Sequence, residues 1–353
     1  RPVVVLLTTL IALGSMAALG LDVKLGQVDD RILPKDNKVV LATNQIRDRF
    51  DGREGSPVEI LVPKESNKDV IQFAKTLSLQ EHINRVETKE GFFSEGELVA
   101  SFPRADMQTI NYERVIAIAD VEPRSPSGEA LTKSIRNLDK DVLVGGSAAV
   151  YTDALLGITN NLPWAALWIV LTTLILLFLF TGSLILPIKA VLLNFMSLFA
   201  TMGFLVWVFM NGNLHWLIGD FATTGTIDSS SLVLVAVISF GLSMDYELFL
   251  LSRIKEQHDA GLETTDAVAI GLQRSGRIIT TAALVLAVSF FAFVTSGVSI
   301  MKMLGLGIAF AVLLDATVIR ALLVPALMRL FGNANWYAPK WMKWIQKKVG
   351  LEH

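Results

Sequence analysis

The stretch LVLVAVISFGLSMDYELFLL, residues 232–251, decides the fold. It is twenty residues long and apolar almost throughout, and roughly 20 apolar residues in a helix are enough to cross the hydrocarbon core of a bilayer. Five further runs of the same character lie at 2–21, 164–180, 184–210, 278–298 and 303–330. The sequence therefore predicts a polytopic α-helical membrane protein with six transmembrane helices.

The composition of the whole chain agrees with this prediction. Of its 353 residues, 52% are hydrophobic and only 18% are charged, and the mean hydropathy of +0.51 is well above that of a typical soluble domain. The net charge of −2 produces no field that would attract nucleic acid. Cysteine is absent and the four histidines are scattered, so the sequence offers no disulfide, no thiolate nucleophile and no histidine cluster for a metal.

The spacing of the apolar runs divides the chain into four parts. We predict a transmembrane helix at 1–21, an α/β domain at 22–163, a five-helix transmembrane bundle at 164–330 and a cytoplasmic tail at 331–353. The helices are thus arranged as one plus five. The last three residues look like the remnant of a purification tag and are left out of the fold argument.

The distribution of lysine and arginine predicts the orientation of these parts. The segment 252–277 carries three arginines and one lysine and the tail carries four lysines, whereas 211–231 contains neither residue type. Cytoplasmic loops of membrane proteins carry the excess of positive charge. The two basic segments are therefore expected to face the cytoplasm, which places the α/β domain on the outer side of the membrane.

The α/β domain has the alternation of short strands and amphipathic helices that is typical of a mixed sheet. Strands are predicted at 58–63, 83–87, 98–102, 114–121 and 141–144, and helices at 68–80 and 127–138. This order suits a ferredoxin-like layer built from split βαβ units. The polar residues of the domain are spread as on a solvated surface, and none of them forms a recognisable catalytic set.

Ionisable residues inside the apolar runs are the candidate functional residues, because each costs several kcal/mol in a membrane. Asp245, with Tyr246 beside it, lies well inside its run. It could be a protonated acid that donates a packing hydrogen bond, or a carboxyl that binds and releases a proton; we favour the second interpretation. Asp315 precedes Arg320 by five residues, and we favour a structural ion pair for these two.

Other polar residues of the runs have plainer interpretations. Lys189 lies near the cytoplasmic end of its run, where its side chain can extend to the interface, and Glu247 is also expected to reach water. Ser243, Thr280 and Thr281 are expected to line the same region of the bundle, where they permit close helix packing and hydrogen bonds between helices. We favour packing as their role, and they would also suit a water-accessible proton path.

The segment GLSMDYELFLLSRIKE, residues 241–256, resembles the tenth-helix signature of the MmpL (mycobacterial membrane protein large) branch of the resistance-nodulation-division superfamily. Softer matches are the opening RPVVVLL and the stretches FDGREGSPVEILVP, VGGSAAVYTD and LLDATVIRALLVPALMRLFG. One helix, a ferredoxin-like porter domain and five more helices form the repeat unit of that superfamily. The resemblance covers nearly the whole chain and implies a half-transporter repeat in a bacterial inner membrane, with the porter domain in the periplasm.

The resemblance also implies a function. Transporters of this branch use the proton-motive force to export lipids or glycolipids for cell-envelope assembly. Among these substrates, the resemblance favours trehalose monomycolate. Protons would be the coupling ion and no cofactor would be needed. Asp245 and Tyr246 would form half of the proton relay.

The sequence departs from the family pattern in one respect, because family members carry two such units and this chain corresponds to the second. We therefore expect the chain to be the C-terminal half of a transporter, with an N-terminal half that carries the matching Asp-Tyr pair as its partner. Accessory periplasmic or membrane proteins would be further partners.

Two alternatives of other classes share the arrangement of helices. One is a motor subunit for protein export that resembles SecF, against which the Asp-Tyr pair and the opening RPVVVLL argue. The other is a Patched-like lipid sensor that does not transport. An enzyme is the weakest interpretation, since the sequence contains no nucleophile elbow, no phosphate-binding loop and no Ser-His-Asp set.

Overall fold

The computed structural model describes residues 1–27, 29–50, 52–66 and 69–349. The tag-like residues 351–353 lie outside the described residues. The chain forms two compact units. One comprises Arg1–Leu25 together with Leu162–His353, and the other comprises Gly26–Asn161.

The helices follow one another from the N-terminus to the C-terminus. They are α1 (Pro2–Ala18), α2 (Lys38–Arg49), α3 (Val70–Ser78), α4 (Pro126–Leu138), α5 (Ser147–Thr181), α6 (Ile185–Leu205), α7 (His215–Ile218), α8 (Ser229–Asp259), α9 (Thr264–Phe291), α10 (Ser299–Leu314), α11 (Val324–Phe331) and α12 (Lys340–Val349). Two π-helical segments continue them: Val206–Met210 follows α6, and Asp315–Leu323 joins α10 to α11.

The strands are shorter and all but two lie in the α/β unit. They are β1 (Leu25–Gly26), β2 (Val58–Pro63), β3 (Ile83–Thr88), β4 (Gly91–Ser94), β5 (Glu97–Ser101), β6 (Tyr112–Ala119), β7 (Leu143–Gly146) and β8 (Ile227–Asp228).

Among the described residues, five helical segments are long and apolar enough to cross a membrane. They are Ser147–Thr181, Ile185–Met210, Ser229–Asp259, Thr264–Thr295 and Ser299–Trp336. Five of the six predicted apolar runs are thereby confirmed as helices of membrane-spanning length. The first run is also helical, but α1 has 17 residues and is shorter than the predicted 2–21.

Helix α1 packs closely against α6 because a glycine lies at the crossing. A β-carbon on Gly203 would lie 1.8 Å from the carbonyl oxygen of Met16, so no other residue fits there without moving one of the helices. A glycine also allows α10 to pack closely against the end of α9, where a β-carbon on Gly305 would lie 2.4 Å from the carbonyl oxygen of Phe290. Small residues that let backbones approach are the usual means of helix packing in membranes.

The interior of the bundle consists of two apolar clusters. One includes Leu250 and Leu323, and the other includes Val235 and Val312. Along α8, the buried stretch between the two clusters contains Ser243. Ser243 is thus a buried polar residue on the part of α8 that lies between two apolar layers.

The α/β unit contains a six-stranded antiparallel sheet in the order β5-β4-β3-β6-β2-β7. Inward-facing residues alternate along β2, where Val58, Ile60 and Val62 are buried, as expected for a strand with one face on a core. Residues of α3 and α4, such as Leu77 and Ile135, belong to the same core. Both helices therefore cover one face of the sheet.

The predicted strands and helices of this unit are confirmed, with two differences. The last strand, predicted at 141–144, is Leu143–Gly146 and continues through the two glycines, because Gly146 pairs with Val58 of β2. The sequence analysis also missed α2 (Lys38–Arg49) and β4 (Gly91–Ser94). Helix α2 has a single buried residue, Val40, and β4 has only four residues, so neither produces a long apolar pattern in the sequence.

Candidate functional site

Ser243 lies at the centre of a buried polar network that joins three helical segments. Its hydroxyl lies 2.7 Å from Oδ1 of Asp315, to which it can donate, and it also hydrogen-bonds Oδ1 of Asn194 on α6. All three side chains are at most 7% exposed. A serine hydroxyl carries one hydrogen. When Asp315 is protonated, its carboxyl can donate to Ser243 and the hydroxyl of Ser243 can donate to Oδ1 of Asn194. When Asp315 is ionised, the hydroxyl donates to Asp315 instead, so the direction of the bond at Ser243 depends on the protonation of Asp315.

Arg320 completes the network. Its Nη2 atom lies 2.6 Å from Oδ2 of Asp315, with the two side chains 3% and 7% exposed, and the same guanidinium donates to the carbonyl oxygen of Ser243. The guanidinium also lies over the ring of Tyr246, 5.1 Å from its centroid. An arginine in the middle of a bundle is stable only when it is paired in this way.

A small cavity adjoins the network. Its volume is about 10 Å³, and its lining includes Asn194, Ser239, Tyr246 and Asp315. The hydroxyl of Ser239 is buried and has no hydrogen-bond partner among the described residues. The volume and the polar lining suit one water molecule, which would connect Tyr246 to the carboxyl of Asp315.

Asp245 lies on a different side of α8 from Ser243. Two residues along an α-helix are about 200° apart, and Asp245 is exposed where Ser243 is buried. It makes no hydrogen bond or ion pair with the part of the chain that the structure describes. Tyr246, which is half-buried, lies between these two sides and contacts Arg320.

The structure separates Thr280 and Thr281 from the network, which corrects the expectation that they line the same region. Both residues lie on the exposed side of α9. Each hydroxyl donates to a carbonyl oxygen of its own helix, that of Gly276 for Thr280 and that of Arg277 for Thr281. A hydroxyl that donates to its own helix already has a hydrogen-bond acceptor, so it needs none on a neighbouring helix.

Two further residues differ from the sequence analysis. Asn194 was missed, although an amide inside the apolar run 184–210 is a signal of the same kind as an acid. Glu247, which was expected to reach water, is only 6% exposed. It lies one helical turn after Ser243, on the same buried side of α8.

The α/β unit contains a cleft of about 350 Å³ lined largely by paired charges. Its lining includes Asp29, Arg47, Arg53 and Glu122. Burial alone would raise the pKa of Asp29, but hydrogen bonds from Arg31 outweigh it, and the pKa lies below its usual value. Among the described residues, no group of three or more acidic or histidine side chains is placed to hold a metal ion.

Comparison with known proteins gives consistent matches. The family model described as MMPL family matches residues 31–347. The trehalose monomycolate exporter MmpL3 of Mycolicibacterium smegmatis is 34% identical over an alignment of 358 positions, which covers 99% of this chain and 34% of that protein. The Mycobacterium tuberculosis protein of the same name is 32% identical and is covered to 36%. The mycolic acid-containing lipids exporter MmpL11 of M. smegmatis is 39% identical over 209 residues, which cover 59% of this chain and 22% of that protein. The chain thus spans about a third of the length of the two MmpL3 proteins that it matches.

Proposed function

The chain belongs to the MMPL family of membrane transporters and is a multi-pass protein of a bacterial inner membrane, and from this premise we propose that it is one repeat of an exporter driven by the proton-motive force. Its cargo would be a lipid or glycolipid of the cell envelope. Relatives named as exporters of trehalose monomycolate and of mycolic acid-containing lipids support this substrate class. Trehalose monomycolate is the first substrate to test.

The observation that carries the proposal is the buried network of Ser243, Asn194, Asp315 and Arg320. A carboxyl and a guanidinium in the middle of a bundle are costly, and such groups in transporters mark ion and proton pathways. The network can exist with the proton on or off Asp315, because the hydrogen-bond direction at Ser243 changes with it. Tyr246 lies between this network and Asp245, which we propose as the group that exchanges protons with it.

The surface around Asp245 supports a partner repeat. Leu234, Val237, Gly241, Asp245 and Leu248 form an exposed stripe along α8, with the spacing of one helical face. Lipid tails could cover the apolar members of this stripe but not the carboxyl. A second repeat, which would bring its own Asp-Tyr pair to this stripe, accounts for all five residues, and the chain is then the second of two repeats.

Strand order in the α/β unit supports a ferredoxin-like porter domain. The elements β2-α3-β3 and β6-α4-β7 are two split βαβ units whose four strands lie in the order β3-β6-β2-β7. The positive-inside pattern supports a periplasmic location of this domain, and we propose α1 as the first of six transmembrane helices. A porter domain in that position suits a protein that exports its substrate from the membrane.

The test is transport by the whole transporter that contains this repeat, in proteoliposomes with an imposed pH gradient and trehalose monomycolate as the substrate. We expect Asp245→Asn to abolish gradient-driven transport, because an amide keeps the shape of the acid but cannot bind and release a proton. The matched control is Asp259→Asn, at the exposed end of the same helix. Transport by Asp245→Asn at the wild-type rate per folded molecule would contradict the proton mechanism.

The same assay separates the proposal from its alternatives. A lipid sensor would show no transport in any variant. A protein-export motor would show proton flux that depends on a translocating polypeptide rather than on lipid. Membership of a lipid-exporter family favours the transporter over both.

A further inference from the structure

Glu247 is a buried acid for which the proposed mechanism has no role. Its side chain is only 6% exposed, and it lies on α8 between Ser243 and the cytoplasmic end of the helix. Among the described residues it has no hydrogen-bond donor and no ion-pair partner within 4.0 Å. A second cavity of about 10 Å³ adjoins it. An acid without a direct partner beside a space for one water molecule is unusual in a packed interior.

The walls of this second cavity are apolar except for Glu247 itself and one lysine. Glu247 and Lys189 are its ionisable members, and the rest are side chains such as Leu193, Leu251 and Met328. Lys189 is half-buried on α6, and its ammonium group donates to Oδ1 of Asn335 and lies 5.2 Å from the ring centroid of Phe331. The lysine is therefore fixed toward the end of the bundle and does not extend freely into solvent.

The other charges that Glu247 faces come from the π-helical segment. Arg320 and Asp315 interact with it electrostatically, as does Lys189. Two cations and one further acid thus surround a carboxyl that none of them contacts directly. An isolated carboxylate is costly in an apolar interior. Whether Glu247 is ionised or protonated therefore depends on the charges of these three neighbours. Loss or gain of a proton at Asp315 changes that balance.

We propose that Glu247 is a proton carrier on the cytoplasmic side of the network, which accepts the proton that leaves Asp315 and passes it toward the cytoplasm beside Lys189. This inference rests on the proposed function, since it concerns the route of the coupling proton. It assigns a role to a residue one helical turn from Ser243 and on the opposite side of α8 from Asp245.

The step conserves charge and needs no other reactant. The carboxylate of Glu247 accepts one proton, directly or through water in the cavity, from the carboxylic acid of Asp315. Asp315 then regains its ion pair with Arg320, while Glu247 becomes a neutral acid. Release of this proton to cytoplasmic water restores the carboxylate, which the ammonium group of Lys189 stabilises from across the cavity. No bond other than the O–H bonds forms or breaks.

The experiment compares Glu247→Gln with the wild type in the whole transporter, in proteoliposomes with trehalose monomycolate and a series of pH values on the cytoplasmic side. We expect Glu247→Gln to slow gradient-driven transport by about 100-fold, in the range typical of loss of a positioned proton-transfer group, and to lose the dependence on cytoplasmic pH. Exchange of substrate without a gradient should continue. Glu256→Gln, an exposed residue of the same helix, is the control.

A second variant keeps the test decisive if the glutamine variant does not fold. Glu247→Asp retains a carboxyl at a shorter reach, and we expect reduced transport with a displaced pH profile. The wild-type rate with the wild-type pH profile in either variant would show that Glu247 is a packing acid. Absence of a gradient effect on the wild type itself would contradict the proposed function and not this inference alone, so the two failures are distinguishable.

Discussion

Arg320 and Asp315 form an ion pair of 2.6 Å within one π-helical segment, although five residues separate them in the chain. In an α-helix, residues five apart point in directions about 140° apart, because each residue turns the helix by about 100°. The wider turn of a π-helix, closed by i→i+5 hydrogen bonds, brings them to the same side. The π-helical segment thus places both charges against Ser243 of α8.

Removal of the acid of this pair should destabilise the protein. We expect Asp315→Asn to lower the free energy of unfolding by about 3–5 kcal/mol, because the buried guanidinium of Arg320 loses its counter-charge. Thermal unfolding in detergent measures the change, with Thr317→Ala on the exposed side of the same segment as the control. An Asp315→Asn variant that is as stable as the wild type would show that the ion pair with Arg320 does not stabilise the fold.

The hydroxyl of Ser243 should matter more than those of two threonines predicted beside it. Ser243→Ala removes the hydroxyl that contacts Oδ1 of Asp315 and Oδ1 of Asn194, while Asp315 keeps its ion pair with Arg320, and we expect a loss of about 1–3 kcal/mol in the free energy of unfolding. Thr280→Ala and Thr281→Ala remove only hydroxyls that bond their own helix on an exposed side, and each should change stability by less than about 0.5 kcal/mol. Equal effects of all three substitutions on the unfolding temperature would disprove the separation of the two sites.

The predicted orientation can be tested with single cysteines, since the chain has none of its own. Ser127 in the α/β unit and Ser230 at the start of α8 are exposed, as is Ala260 between α8 and α9. In intact spheroplasts, a membrane-impermeant maleimide should label Ser127→Cys and Ser230→Cys. Ala260→Cys should be labelled only after permeabilisation. Labelling of Ala260→Cys in intact cells would reverse the topology.

The low pKa of Asp29 predicts a dependence of stability on pH. Asp29 has a lower pKa in the folded protein than its usual value of 3.8, so its stabilising effect is complete above that value and is lost as the pH falls through the folded pKa. Asp29→Asn should therefore reduce the unfolding temperature at pH 7, and the difference from the wild type should shrink below about pH 4. A difference that stays constant down to pH 3 would mean that the carboxylate charge contributes nothing.

Several features of this protein follow from the sequence alone. The apolar runs predicted the membrane-spanning helices because helix length and bilayer thickness impose the same requirement on any such chain. Alternation predicted β2 and β6 for a similar local reason, since a strand with one buried face must alternate. The candidate residues Asp245, Tyr246, Asp315 and Arg320 stood out because charges are rare in apolar runs.

The tertiary structure alone decided which of these residues meet. Asp245 and Ser243 lie two positions apart, yet one is exposed and the other is the centre of the network, and only the packing of α6 and the π-helical segment against α8 selects the buried side. Every face of an apolar run looks alike in the sequence, and a π-helical turn changes the direction of each residue after it without a mark in the residue order. For this reason the sequence indicated the charges of the site, whereas the fold determined that Asp315, Arg320, Ser243 and Asn194 form it together.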